Sequence, residues 1–171
     1  FYGDEEKPDG RVKDMSSCIT KSEDGLEWQF GKNTYLDGWE ANKFFGSVKT
    51  ADGMLNAVIT GRKPLLVSRS DINEECGNIS VIKISYANNT MSNKLKIYFM
   101  TDGMNVISEE CSFTAEIVPM ESECREYIIN TSGNAHWKGT LKKLVIAPAE
   151  NAKGNISVDS IKLQYANRQE G

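Results

Sequence analysis

A chain of 171 residues can bury the core of one domain without help from disulfides or metal. Hydrophobic residues make up 39% and occur only in short runs, so no segment is long enough to span a bilayer. A formal charge of -4, with acids and bases interspersed, offers no electropositive field for phosphate backbones, so neither nucleic acid nor membrane is an expected partner.

In chain order, residues 1–22 are charged, carry Pro8 and two glycines, show no sustained periodicity and read as a tail or linker. The folded module is placed at 23–166, and 167–171 form a frayed end. Inside the module, short runs rich in Val, Ile, Tyr and Phe alternate with polar residues and are punctuated by Gly, Asn and Asp. In "NKLKIYFMTD", Leu95, Ile97 and Phe99 share one face while Lys96, Tyr98 and Met100 share the other. "NISVIKISYAN", "CSFTAEIVP", "REYIIN", "TLKKLVIAP" and "NISVDSIKLQY" repeat the pattern. The nearest helical candidate, "RSDINEECG", is long enough only for a turn leading into a strand. The predicted fold is all-β, with about eight to ten strands in a two-sheet antiparallel β-sandwich, because one sheet cannot bury so many half-apolar strands.

The catalytic inventory is thin. The single histidine, His136, sits in a loop beside Trp137, and there is no nucleophile elbow or glycine-rich phosphate cradle. The cluster "ESECRE" from Glu121 to Glu126 carries carboxylates, but in a regular strand the odd spacing of Glu123 and Glu126 sends them to opposite faces. They cannot then flank one glycosidic bond, and the segment reads as a solvated turn; the chain is expected not to be an enzyme. Cys18, Cys76, Cys111 and Cys124 lack zinc-site spacing. Cys111 and Cys124 could close a hairpin, or all four thiols could stay reduced. Sequons at Asn78, Asn88, Asn130 and Asn155 are unremarkable in a chain so rich in Asn, Ser and Thr.

From Leu26, the ordered pieces "LEWQF", "DGWEAN", "ADGMLNAVITGRKPLLVS", "NKLKIYFMTD", "REYIIN", "HWKGTLKKLVIAP" and "NISVDSIKL" resemble the galactose-binding-like jelly rolls used as carbohydrate-binding modules. Lys63-Pro64 stands where such modules often have Asp-Pro. The resemblance implies a non-catalytic, extracellular or cell-surface module that binds a polysaccharide or oligosaccharide and belongs to a larger chain, such as one carrying a glycoside hydrolase. It also implies that Trp28 and Trp137 pack structurally. An acidic residue in the last strand of such modules helps hold a structural calcium, which would place Asp159 with Glu27 or Gln29 as ligands; the alternative is that Asp159 pairs with a lysine or faces solvent.

A sugar site needs aromatic faces for stacking and planar polar groups for hydroxyls. Tyr98, out of phase with the core residues of its strand, is the leading platform, with Lys96 beside it. "NTYLDGWEANKFF" adds Tyr35, Trp39 and Phe44, with Trp39 also open to a buried reading. Arg62 and Arg125 supply rigid guanidinium donors.

Overall fold

The computed structural model describes residues 19–30, 39–51, 53–149 and 152–166. Two antiparallel sheets pack face to face, as the alternating strands require. The seven-stranded first sheet contains β1 (Ile19–Lys21), β2 (Gly25–Gln29), β4 (Phe45–Ala51), β5 (Met54–Ile59), β8 (Ile79–Asn89), β11 (Arg125–Asn130) and β13 (Gly154–Tyr165). The six-stranded second sheet contains β3 (Glu40–Ala41), β6 (Leu66–Val67), β7 (Glu74–Glu75), β9 (Lys94–Thr101), β10 (Ser112–Glu116) and β12 (Thr140–Ala147). The strand number exceeds the predicted eight to ten because β3, β6 and β7 are two-residue pieces that lack the span to show periodicity. β1 begins inside the stretch read as tail: its backbone pairs with β2, placing Ile19 opposite Trp28.

β13 organises the first sheet. One edge pairs with β8 along most of its length, while the other pairs with β5 from Gly154 to Val158 and with β2 from Ser160 to Gln164. The change of partner coincides with a register shift against β8 between Val158 and Ser160, so Asp159 is the extra residue of a bulge. That accounts for a charge interrupting the alternation: the bulge turns Asp159 out to solvent while Val158 and Ile161 both stay in the core.

The core lies between the sheets. Leu95, Ile97 and Phe99 of β9 face Ile82, Ile84 and Tyr86 of β8 and Ile156, Val158, Ile161 and Leu163 of β13 within one buried cluster. Two aromatic groups anchor its ends. Trp28 meets Trp39 edge to face at 5.3 Å, with Phe30 6.1 Å from Trp39. Phe99, Phe113 and Trp137 form the second group, in which Trp137 stands 4.9 Å from Phe99 and donates from Nε1 to the Ile79 carbonyl at 3.2 Å. Both tryptophans expected to be structural are so: Trp28 is buried with edge-to-face packing, and Trp137 adds a satisfied indole N–H to the same kind of packing. "RSDINEECG" ends in β7 and a 3₁₀ turn, Cys76–Asn78, that leads into β8.

Gly154 enters β13 with φ +143°, and a Cβ there would lie 2.3 Å from the Asn89 carbonyl oxygen. Gly154→Ala is therefore expected to lower stability by about 1–3 kcal/mol, read from the urea midpoint, with the native strand content retained by circular dichroism.

Candidate functional site

The outer face of the second sheet carries the predicted platform, but covers it. Tyr98 occupies the expected outward phase and forms a small apolar cluster with Val145 and Ala147, flanked by Leu65, Val67 and Ile107. Its ring is 1% exposed. Residues 102–111, the connection from β9 to β10, cross this face: Ile107 packs on the cluster and Glu109 accepts hydrogen bonds from the Tyr98 hydroxyl at 2.7 Å and the Lys96 ammonium at 2.6 Å. Those two donors hold the Glu109 carboxyl below its usual range, so the small stability it contributes is present at neutral pH and fades only as pH falls through that lowered value. Tyr98 is thus corrected from sugar platform to packed residue, and Lys96 is engaged by Glu109.

The other predicted contacts are dispersed. Trp39 is buried against Trp28 and Phe30, which rules out stacking on a sugar. Phe44 is half-buried with its ring on Gly61, where an added Cβ would come within 2.0 Å of it. Exposed Arg62 follows in the same turn, while Arg125 lies on β11 and pairs with Glu121 at 3.4 Å. Tyr35 lies outside the described residues. The structure brings Tyr98 and Lys96 together, and Phe44 near Arg62, but assembles no single site from the set.

The predicted calcium ligands fare similarly. Glu27 stands directly opposite Lys162 and Gln29 opposite Ser160, with Asp159 on the bulge beyond. A hard cation needs six to eight oxygens, whereas this register places a lysine directly across from Glu27. Among the described residues no group of three or more His, Cys, Asp or Glu could hold a metal.

The turn expected over Glu121–Glu126 falls instead at Pro119–Met120; Glu121 to Cys124 form an irregular connection bent at Glu123, and Arg125 and Glu126 already belong to β11. Glu121 engages Arg125, while Glu123 and Glu126 face solvent. Cys76, Cys111 and Cys124 are free thiols, so the Cys111–Cys124 link is not made; Cys18 lies outside the described residues. Burial, with Glu75 adding repulsion, pushes Cys76 up to about 12 and leaves it unreactive. Cys124 instead lies with its Sγ 3.5 Å from Met54 Sδ.

A trough of about 330 Å³ runs over the outer face of the first sheet and was missed by sequence reasoning. Ser47 and Lys49 of β4 form one wall and Ser122 the other, over the small residues Ala87 and Ser157. Asn155 faces Val58 across one ladder and Asn89 across the other, which sets two carboxamides beside a valine that is 41% exposed. Asn56 is fixed: its amide donates to the Ala51 and Met54 carbonyls and its oxygen accepts from the Ser157 hydroxyl at 2.6 Å. Asn89 and Asn155 have no side-chain hydrogen bond among the described residues, so both retain donors and an acceptor for a ligand. The signal available beforehand was their outward phase in long strands, where two amides have no turn to make.

No protein-family model matches the sequence, and no curated protein matches it. Among solved structures, it is similar to a low-affinity xylan-binding module, CBM86, from Roseburia intestinalis, with 15% identity, 83% of this chain and 97% of that chain covered, and a TM-score of 0.54. A module specific for non-crystalline cellulose, CBM28, aligns at 15% identity over 81% of this chain and 94% of that one, also at 0.54. The fold is that of carbohydrate-binding β-sandwich modules. A third similarity, to PfGH50B, has 14% identity and a TM-score of 0.54, and covers 75% of this chain but 22% of that longer one. The expected two-sheet antiparallel β-sandwich is therefore the fold found, and at these identities the likeness is one of fold.

Because Tyr98 is packed under residues 102–111, Tyr98→Ala is expected to cost about 3 kcal/mol in urea unfolding, as large-to-small core changes do. A variant as stable as the native chain would show that the ring is not buried.

Proposed function

We propose that this chain is a non-catalytic carbohydrate-binding module that takes a polysaccharide in the asparagine-lined trough on the outer face of the first sheet. The observation that carries the reading is the Asn89–Asn155 pair, two carboxamides without side-chain partners among the described residues, on a rigid ladder beside exposed Val58. Sugar hydroxyls both donate and accept, and each amide offers two donor hydrogens and an acceptor oxygen in one plane. Val58 supplies an apolar contact for the C–H face of a ring. The volume, about 330 Å³, sits at the small end of ligand sites and suits a short stretch of a chain that continues out of both ends.

Hydrogen bonding, rather than stacking on Tyr98, is the main term in this reading. Contacts of that kind are individually modest, so affinity is expected in the micromolar to millimolar range, about -8 to -4 kcal/mol. None of Glu121, Glu123 and Glu126 lines the trough, in keeping with a role that makes and breaks no bonds. The partial match within a longer protein supports a place in a larger chain.

Affinity electrophoresis through soluble xylan and β-glucan tests the reading, with reducing-sugar release followed in parallel. The native chain is expected to be retarded without releasing sugar, and Asn89→Ala with Asn155→Ala to weaken retardation about tenfold at unchanged melting temperature. Absence of retardation across a broad panel would make the sandwich a structural or protein-interaction unit, and sugar release would make it an enzyme.

A further inference from the structure

A second feature of the same face lies farther along β13. Lys83 of β8 and Lys162 of β13 are direct cross-strand partners, so their Cβ atoms stand about 5 Å apart on the outer side of the sheet. Like charges placed directly opposite each other are destabilising, and both side chains are half-buried, which weakens their hydration. Neither makes an ion pair within 4 Å or any other side-chain hydrogen bond among the described residues. Both line a groove of about 820 Å³ shared with Ser80 and Gln164, two neutral polar neighbours.

The surrounding charges define what the pair can take. Glu27 faces Lys162 from β2, and Glu126 of β11 lies diagonal to Lys83, next to Ser85. Glu23 and Asp24 are exposed at the rim of the groove, in the turn between β1 and β2. Glu23 and Asp24 thus share the groove with the two lysines, and Glu27 and Glu126 flank the lysine pair on the neighbouring strands. A compact anion with several acceptor oxygens would bridge the two lysines and relieve their repulsion. On β11, Ile128 lies directly opposite Lys83 and is 58% exposed, adding an apolar contact next to the charges. From Asn155 to Lys162 along β13 is roughly 20 Å at the usual rise per residue, so one extended glycan can reach both places.

We infer that Lys83 and Lys162 form an anion subsite at the end of the glycan track, taking the carboxylate or sulfate group of an acidic polysaccharide. This assignment rests on the proposed glycan-binding function and adds to it a preference for chains with charged sugar units. The net negative charge of the protein makes nonspecific attraction to polyanions unfavourable, so a preference for them must come from a local site.

The test is affinity electrophoresis in gels containing polygalacturonate, its methyl ester, a sulfated polysaccharide or a neutral β-glucan, at low and at 0.5 M salt (about a threefold shorter screening length than at 0.05 M). Native protein is compared with Lys83→Gln/Lys162→Gln and with Lys138→Gln, a change in a distant exposed loop. Retardation is expected to be about tenfold stronger in the acidic gel than in its ester. That preference should shrink in high salt and vanish in the double variant, but persist with Lys138→Gln. Melting temperature should not fall in the double variant, since a like-charge pair is being removed, and retardation in the neutral gel should be unchanged. Whether the polygalacturonate or the sulfated arm responds identifies the anion. No excess retardation in either the polygalacturonate or the sulfated gel over the ester and neutral gels, or a preference that survives in the double variant, overturns the subsite while leaving the glycan-binding reading in place. No retardation in any gel overturns both.

Discussion

β13 pairs with three strands, and the fold depends on its doing so. It runs along β8 on one side, and on the other it leaves β5 for β2 at the Asp159 bulge. Without the extra residue, a twelve-residue strand would keep one register, and Val158 and Ile161, three apart, could not both point inward. The bulge keeps both in the core, where they are fully or almost fully buried, and lets the two halves of the chain be stitched into one sheet. The same strand presents Asn155 and Ser157 at one end of its outer face and Lys162 at the other. Core and candidate binding face are thus set by a single register.

The two outer faces of the sandwich differ in what covers them. On the second sheet, Tyr98, Val145 and Ala147 make an apolar patch that would be a liability if left open, and residues 102–111 close it with Ile107 and Glu109. Glu109 contributes through its two donors, although its own side chain is 67% exposed and water screens much of the interaction. The first sheet is faced mainly with serine, asparagine and lysine, needs no cover, and holds a trough between β4 and the connection containing Ser122. An uncovered polar trough on a rigid sheet is the better place for a hydrophilic polymer.

Much of this architecture was legible in the sequence because strand alternation records which side is buried. The inward set Leu95, Ile97 and Phe99, the all-β sandwich and the packed tryptophans follow from period, spacing and the size of the rings, joined to a family resemblance. Alternation also put Tyr98 on the correct face. What it could not show is whether a loop distant from the strand's own neighbours lies across that face, since the cover depends on tertiary contacts of Ile107 and Glu109. Asp159 looked like a ligand because a charge in a strand has few local explanations, and the bulge that explains it exists only in the pairing with β8. Asn89 and Asn155 were overlooked for a related reason: asparagine suggests turns and sequons, and only the register reveals two of them side by side with nothing to bond.

The measurement that bears most directly on this account is amide and side-chain chemical-shift mapping by NMR during titration with xylo- and cello-oligosaccharides. Perturbations are expected at Asn89, Asn155, Val58 and Ser157, with the resonances of Tyr98, Val145 and Ala147 unmoved. Shifts confined to β9 and β12, or none at saturating sugar, would contradict placement of the glycan on the outer face of the first sheet.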